Sequence, residues 1–203
     1  LGMAVSSFDE KGKDIKNKKG ELVCKQSFPS MPIYFWGDVD KEKYRSSYFD
    51  KYDNIWTHGD FIEINDSNGV VVFGRSDATL NPGGVRTGTA EIYSAIGNID
   101  HLEDSIAINS NLDDAYILFV KLSKDIILDG NLIEEIRLEI KNNLSPKHLP
   151  SKIIQIQEIP YTLNGKKVEI AVKNIFDGKK VKNIDSLSNP ESLSEYYKIK
   201  ESN

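Results

Sequence analysis

The sequence has little cysteine or histidine and no long apolar run. Its 203 residues include one cysteine and three histidines. A lone cysteine, Cys24, cannot form an internal disulfide, which favours a reducing compartment such as the cytoplasm. No stretch approaches the ~18–20 consecutive apolar residues of a membrane-spanning helix. We therefore expect a cytoplasmic protein with no membrane partner.

An excess of basic charge is also missing. The chain carries 26 Lys and Arg against 31 Asp and Glu, a net charge of −5. Because nucleic-acid backbones recruit basic surfaces, we expect no nucleic-acid partner. His58, His101 and His148 are scattered without the spacing of a metal site, and Cys24 has no ligand partner near it in sequence. No G-x-S-x-G motif is present. The sequence thus predicts neither a metal centre nor a nucleophilic triad.

Residues 1–76 have the pattern of one strand-rich unit. A short strand is predicted at Gly20–Cys24, and a short helix could lie within residues 40–52. The clearest signal is a hairpin, because strand-like residues 59–65 and 70–75 flank a turn that ends in Asn-Gly. Both turn residues tolerate positive φ, so this hairpin is a firm expectation.

From residue 77 onward, predicted helices and strands alternate. We expect a helix opened by an N-cap at Thr89, strands at Leu102–Asn109, Ala115–Leu122 and Lys152–Glu158, an amphipathic helix at Asn131–Leu144 and a helix at Glu169–Phe176. This order predicts an α+β fold class: the strand-rich end of a larger domain (1–76), then a small α+β domain (77–178) with a short sheet and about three helices. Residues 179–203 are predicted to be a polar tail that wraps the surface or frays.

Three polar clusters could bind an anionic ligand, although each has a simpler interpretation. Asp60 could accept both hydroxyls of a ribose, but an aspartate beside glycine is also typical of a turn. Arg75 and Arg86 bracket a glycine-rich loop, which suits phosphate and equally suits a solvated loop. Lys166, at the tip of a glycine loop, could reach a developing negative charge. The simpler interpretation is that Lys166 and Lys167 are two neighbouring solvated charges.

The order of these clusters carries a resemblance to a known family. WTHGDF, GRSDATLNPGGVRTGTAEIY and IPYTLNGKKVE, in that order, resemble the carboxyl-terminal signature motifs of the adenylate-forming acyl-CoA synthetases. In that family they correspond to Y/H-x-G-D, G-R-x-D with a following G-x-R and E-I, and P-x-T-x-x-G-K. The strings GELVCKQSFPSMPIYFWGD, KYRSSYF, GKKVEIAVKNI and LSNPESL are similar to the branch that activates acetoacetate. The likeness spans nearly the whole chain.

The resemblance implies an activity and a set of roles. Members of the family join an acid to CoA through an acyl-adenylate, consuming ATP with Mg²⁺ and releasing AMP and pyrophosphate; here the implied acid is acetoacetate. Lys166 would be the catalytic lysine of adenylation, and Asp77 the hinge of a mobile lid domain. The implied ligand-binding residues are Asp60, Arg75 and Arg86 for ATP and the adenylate, and Gly84 and Lys141 for CoA.

The resemblance also implies that much of the enzyme lies elsewhere. The phosphate loop, the adenine and acyl pockets and the Mg²⁺ ligands would lie upstream of Leu1. We therefore expect a carboxyl-terminal part of a longer enzyme, inactive alone, whose partner is the rest of its own large domain. Ala78 and Glu169 replace an acid and an arginine found in many relatives, which we interpret as features of the branch. The alternatives are a short-chain acyl-CoA synthetase, an adenylation domain serving a carrier protein, or a non-catalytic nucleotide-binding module.

Overall fold

The computed structural model describes residues 2–76, 80, 87–109 and 116–202. The chain divides into two compact units, Leu1–Asp77 and Ala78–Asn203. Within the described residues there are two sheets and five α-helices, so the predicted mixture of helices and strands is confirmed. No helix in the described part of the chain has the length and apolar character needed to cross a bilayer.

The first unit is built on a four-stranded antiparallel sheet. Its strands are adjacent in chain order: β1 (Val5–Phe8), β2 (Gly20–Cys24), β3 (Trp56–Ile64) and β4 (Val70–Arg75). The predicted hairpin is confirmed as the β3–β4 pair, and Asn68 adopts a φ of 60° in its turn. The side chain of Asn65 accepts a hydrogen bond of 2.7 Å from the Gly69 amide, which closes the same turn.

Aromatic packing attaches helix α1 (Glu42–Tyr48) to this sheet. The ring of Tyr48 stacks on buried Trp56 with 3.7 Å between centroids, and Phe28 meets the same indole edge-on at 5.2 Å. On β2, Cys24 is only 2% exposed. Burial raises the pKa of its thiol because a thiolate would lose its hydration there.

The second unit centres on a three-stranded sheet in the order β5 (Leu102–Asn109), β6 (Tyr116–Leu122), β7 (Lys152–Ile156). Strands β5 and β6 are antiparallel, and β6 and β7 are parallel. A parallel pair needs a crossover, which helix α3 (Gly130–Asn143) supplies, within one residue of the prediction at each end. Asp129 begins this helix by accepting a 2.9 Å hydrogen bond from the Leu132 amide.

Helices cover both faces of this sheet. One face packs against α2 (Thr89–Ile96) and α3 through Leu118 and Val120, and the other packs against α4 (Glu169–Phe176) through Ile106 and Phe119. Burial on both faces explains why β6 is an almost continuous apolar run instead of an alternating one. Helix α2 differs from the prediction at its start, since Gly88 and not Thr89 is the N-cap and its amide donates to the Glu91 carboxylate at 3.0 Å.

Residues 179–202 differ from the predicted polar tail. After two short 3₁₀ turns the chain forms helix α5 (Leu193–Glu201), a fourth α-helix in the described part of the second unit. Leu193 and Tyr196 are buried in the core, where the Tyr196 ring meets Phe119 at 5.1 Å. The Tyr196 hydroxyl donates to the Glu158 carbonyl at 3.2 Å. The helix is short and only three of its residues, Leu193, Tyr196 and Ile199, pack on the core, so its apolar pattern is weak in the sequence.

Candidate functional site

Asp60 lies where strand β3 bulges. Between the partner pairs Val23–Thr57 and Glu21–Phe61, β3 advances by four residues while β2 advances by two. The extra residues fall around Gly59, whose φ of 82° favours glycine. Bulges of this kind redirect side chains at functional sites. The Asp60 carboxylate is 19% exposed, and its Oδ2 lies 3.6 Å from Nε2 of His58.

Arg75 lies on the neighbouring strand, paired in register with Asp60. Its Nη1 donates to the His58 carbonyl at 3.3 Å, and a Cβ placed on Gly59 would come within 2.9 Å of Nη2. Gly59 therefore gives the guanidinium room to lie against the backbone of β3. The sheet thus brings two predicted residues together: a carboxylate that can accept two hydroxyl donors and a guanidinium that suits anionic oxygens.

A buried acid that the sequence did not single out lies in the same unit. Glu21 is 1% exposed, and its Oε1 accepts a 2.8 Å hydrogen bond from the Ser76 hydroxyl. Its Oε2 lies 2.5 Å from the Lys51 ammonium. Ser76 also donates its amide to the Gly59 carbonyl at 2.9 Å. These contacts fix the end of β4 to the sheet immediately before residue 77.

Lys166 lies in a closed loop of the second unit, Tyr161–Lys167, which we name the lysine loop. Tyr161 and Lys167 pair as an isolated antiparallel bridge at its base. Within it, the Thr162 amide donates to the Lys166 carbonyl at 2.8 Å, and the Gly165 amide donates to the Thr162 carbonyl at 2.8 Å. Gly165 has a φ of 72°, a conformation that favours glycine. The loop is therefore a defined turn that presents Lys166 beside its tip.

The two neighbouring lysines of this loop have different environments. The ammonium of Lys167 pairs with the Asp104 carboxylate and lies 3.9 Å from the centroid of the Tyr93 ring. Lys166 is exposed, and within the described ranges its ammonium has no hydrogen-bond or ion-pair partner. Lys167 is therefore committed to internal contacts, whereas the charge of Lys166 is available to a ligand.

Glu169, at the start of α4, anchors the chain that leaves this loop. Its Oε1 accepts hydrogen bonds from the Tyr93 hydroxyl at 3.1 Å and from the Thr89 hydroxyl at 3.4 Å. The Tyr93 oxygen in turn accepts the Ala107 amide at 3.0 Å. Burial, with the adjacent Glu169 charge, raises the pKa of Tyr93 well above its usual range. The hydroxyl therefore stays protonated and keeps donating to Glu169.

Of the remaining predicted residues, the structure describes Lys141 alone. Lys141 is exposed in the last turn of α3, and no recorded contact among the described residues joins it to the lysine loop. Asp77, Gly84 and Arg86 lie outside the described residues. In the part of the chain that the structure describes, no group of three or more His, Cys, Asp or Glu side chains could hold a metal ion such as the implied Mg²⁺.

Comparison with known proteins identifies close relatives of this chain. It is 46% identical over 203 residues to the acetoacetyl-coenzyme A synthetase of Rhizobium meliloti and 45% identical over 205 residues to the acetoacetyl-CoA synthetase of Rattus norvegicus, covering 99% of this chain in each case. The chain spans about 30% of the length of these relatives. No family model matches the chain.

Solved structures give a consistent result. The acetoacetyl-CoA synthetase from Streptomyces lividans matches 98% of this chain with a TM-score of 0.92 and 37% identity, and the match covers 31% of that protein. The ATP-bound MatB from Rhodopseudomonas palustris matches 87% of this chain and 34% of that one, with a TM-score of 0.71 and 20% identity. The second likeness establishes a shared fold alone.

Proposed function

We propose that this chain, which is homologous along nearly all of its length to acetoacetyl-CoA synthetases, forms the carboxyl-terminal part of an ATP-dependent acid–thiol ligase. The complete enzyme converts acetoacetate, ATP and CoA to acetoacetyl-CoA, AMP and pyrophosphate. In the first step a carboxylate oxygen attacks the α-phosphorus and pyrophosphate leaves. In the second step the CoA thiol attacks the acyl carbon and AMP leaves. A cytoplasmic location, expected from the single cysteine, stays a prediction.

The observation that carries this proposal is the difference between Lys166 and Lys167. Adenylation brings two anions together, so a cation that bridges the carboxylate and the α-phosphate stabilises the transition state. A catalytic cation must be both exposed and held in a defined loop. Lys166 meets both conditions, while Lys167 is already paired with Asp104.

The other residues divide between the two steps. Asp60 accepts the ribose hydroxyls, Arg75 supports the same nucleotide, and Arg86 binds phosphate oxygens during adenylation. Support for the first two comes from their pairing across β3 and β4. Gly84 and Lys141 bind CoA during the second step.

Asp77 is the proposed hinge between these steps. Lys166 is of no use once the thiol attacks the acyl carbon, so a domain that turns can remove it and present the CoA-binding face. The division of the chain into compact units between Asp77 and Ala78 supports a pivot at this position.

The test separates the two half-reactions in the complete polypeptide that carries this chain. Lys166→Ala should abolish acetoacetate-dependent exchange of label between pyrophosphate and ATP. Formation of acetoacetyl-CoA from supplied acetoacetyl-adenylate should be largely preserved, because that step does not use the lysine. Lys124→Ala, which removes another exposed lysine of the same unit, is the control and should retain both activities.

Two results would contradict the proposal. An equal loss of both half-reactions in Lys166→Ala would remove the assigned role from this lysine. The unmodified complete polypeptide should be tested with acetoacetate beside acetate and propionate. Exchange with one of the other acids alone would show that acetoacetate is not the substrate, and no exchange with any of them would favour a non-catalytic nucleotide-binding module.

A further inference from the structure

Asp104 joins both ends of the lysine loop to the sheet of the second unit. Its Oδ2 accepts the hydroxyl of Tyr161, the first residue of the loop, and its Oδ1 pairs with the ammonium of Lys167, the last. Oδ1 also accepts the Ser105 amide at 2.7 Å, which fixes the carboxylate itself. We name Asp104, Tyr161 and Lys167 the Asp104 clamp. Burial and the hydrogen bond to Asp104 raise the pKa of the Tyr161 hydroxyl, so this hydroxyl stays protonated and remains a donor.

A bulge in β5 explains how Asp104 reaches the loop. Strand β5 pairs Leu102 with Leu122 but Asp104 with Lys121, so Glu103 is an extra residue in the ladder. After the bulge, Asp104 and Ile106 are two residues apart on β5, so their side chains lie on the same face of the sheet. Ile106 is buried in the core beneath α4 and α5. The carboxylate therefore lies on the face of the sheet from which the lysine loop emerges.

The contacts of Asp104 add to the hydrogen bonds that join the loop to residues 186–189, among them one of 3.0 Å from the Leu163 amide to the Ser186 carbonyl. Side-chain anchors matter here because the residues at the tip of the loop bury little. Leu163, Asn164, Gly165 and Lys166 are exposed, so apolar contacts contribute little to their order. Ordering an exposed turn costs backbone entropy. Charge-assisted hydrogen bonds at both ends of the loop offset that cost, since they are roughly twice as strong as neutral ones.

We propose that Asp104 is a positioning residue for the adenylation step, acting on Lys166 through Tyr161 and Lys167. This inference rests on the proposed role of Lys166. Asp104 itself contacts no substrate: its carboxylate is occupied by the clamp. Lys167 serves the reaction by being held in place, which leaves the neighbouring Lys166 exposed and its charge available to a ligand.

The kinetic test uses Asp104→Asn and Lys167→Met in the complete polypeptide. Each change removes one charge from a partly buried pair, and we expect kcat for acetoacetate-dependent pyrophosphate exchange to fall about tenfold, with KM for the acid within about twofold. Formation of the thioester from supplied adenylate should stay within about twofold. Lys167→Arg keeps the charge and should retain most of the exchange activity. Equal loss in both half-reactions would indicate general damage to the fold and would overturn the proposal.

A matched control is available in the same unit. Lys179 is also a paired lysine, 2.8 Å from the Asp177 carboxylate, and no contact among the described residues joins it to the lysine loop or to Asp104. Lys179→Met should leave the exchange kinetics within about twofold of the parent. A tenfold loss in this variant would show that any paired lysine of the unit matters equally, and the clamp would lose its special role.

A second measurement tests, independently of activity, whether the Asp104 clamp orders the lysine loop. Amide hydrogen exchange at Thr162, Gly165 and Lys166 reports how often the lysine loop opens, because these amides donate within the loop. We expect exchange there to be about tenfold faster in Asp104→Asn and Lys167→Met, and unchanged in Lys179→Met. Unchanged exchange in both clamp variants would refute the clamp. If the parent enzyme lacked pyrophosphate exchange, the proposed function would fail while this measurement still decided whether Asp104 orders the loop.

Discussion

Tyr196 offers the sharpest test of whether helix α5 belongs to the core of the second unit. Its contacts allow the loss in free energy of unfolding to be estimated when the side chain is removed. The side chain is fully buried, packs edge-on against Phe119 at 5.1 Å and donates to the Glu158 carbonyl at 3.2 Å. Replacing a buried aromatic side chain by alanine costs about 3–5 kcal/mol. Tyr196→Ala should therefore lower the free energy of unfolding of this unit by about that amount, and Tyr196→Phe, which removes only the hydroxyl, by about 1 kcal/mol.

Native-state hydrogen exchange is the suitable assay, because it reports on each unit separately. Strand β6 is the central strand of the sheet, so its amides exchange when the second unit opens as a whole. A loss of about 3 kcal/mol corresponds to exchange faster by about 100-fold, since each 1.36 kcal/mol is tenfold. For Tyr196→Phe the expected acceleration is about fivefold.

The neighbouring residue supplies the control. Tyr197 is on the same helix but exposed, so Tyr197→Ala should change exchange by no more than about twofold. If Tyr196→Ala and Tyr197→Ala gave the same small effect, α5 would be a peripheral segment and its assignment to the core would be refuted.

Two further predictions concern the first unit, where both tryptophans of the chain lie, so that tryptophan fluorescence follows its unfolding in urea. Gly59→Ala and Gly37→Ala should each destabilise it by about 1–2 kcal/mol, because both glycines have positive φ. A Cβ at Gly59 would also come within 2.9 Å of the Arg75 guanidinium, but this is the end of a flexible side chain that can move aside. A much larger loss for Gly59→Ala would show that the guanidinium cannot move. A hydrogen bond from Ser6, assisted by the charge of Lys25, holds the pKa of Asp14 below its ordinary 3.8, so its stabilising effect is present above that value and is lost as pH falls through the folded pKa. The stability difference between the parent and Asp14→Asn should therefore be constant above about pH 5 and shrink as the pH falls below about 4, and a pH-independent difference would contradict this.

Elements specified by local chemistry were predictable from the sequence. The β3–β4 hairpin follows from a turn in which Asn68 takes a positive φ, and α3 follows from apolar residues recurring on one face. Helix α5 was missed because only Leu193, Tyr196 and Ile199 pack against the core, while most of its other residues are polar.

The candidate site divides in the same way. Lys166, Asp60 and Arg75 were visible because each belongs to a short motif with a recognisable order. The Asp104 clamp was not, because the Tyr161 hydroxyl bonds to a residue 57 positions away, and no local pattern encodes a contact of that range. The bulge at Glu103 adds to the difficulty, since it changes the alternation from which the inward face of β5 would be inferred.

The burial of Cys24 has a practical consequence for studies of movement. The chain has no other thiol, and that of Cys24, the last residue of β2, is buried and remains protonated. A maleimide or nitroxide reagent will therefore modify a cysteine introduced at an exposed position, such as Trp36 in one unit or Leu163 in the other, in preference to the native one. A pair of spectroscopic labels, one on each unit, can thus be attached to this chain without replacing Cys24.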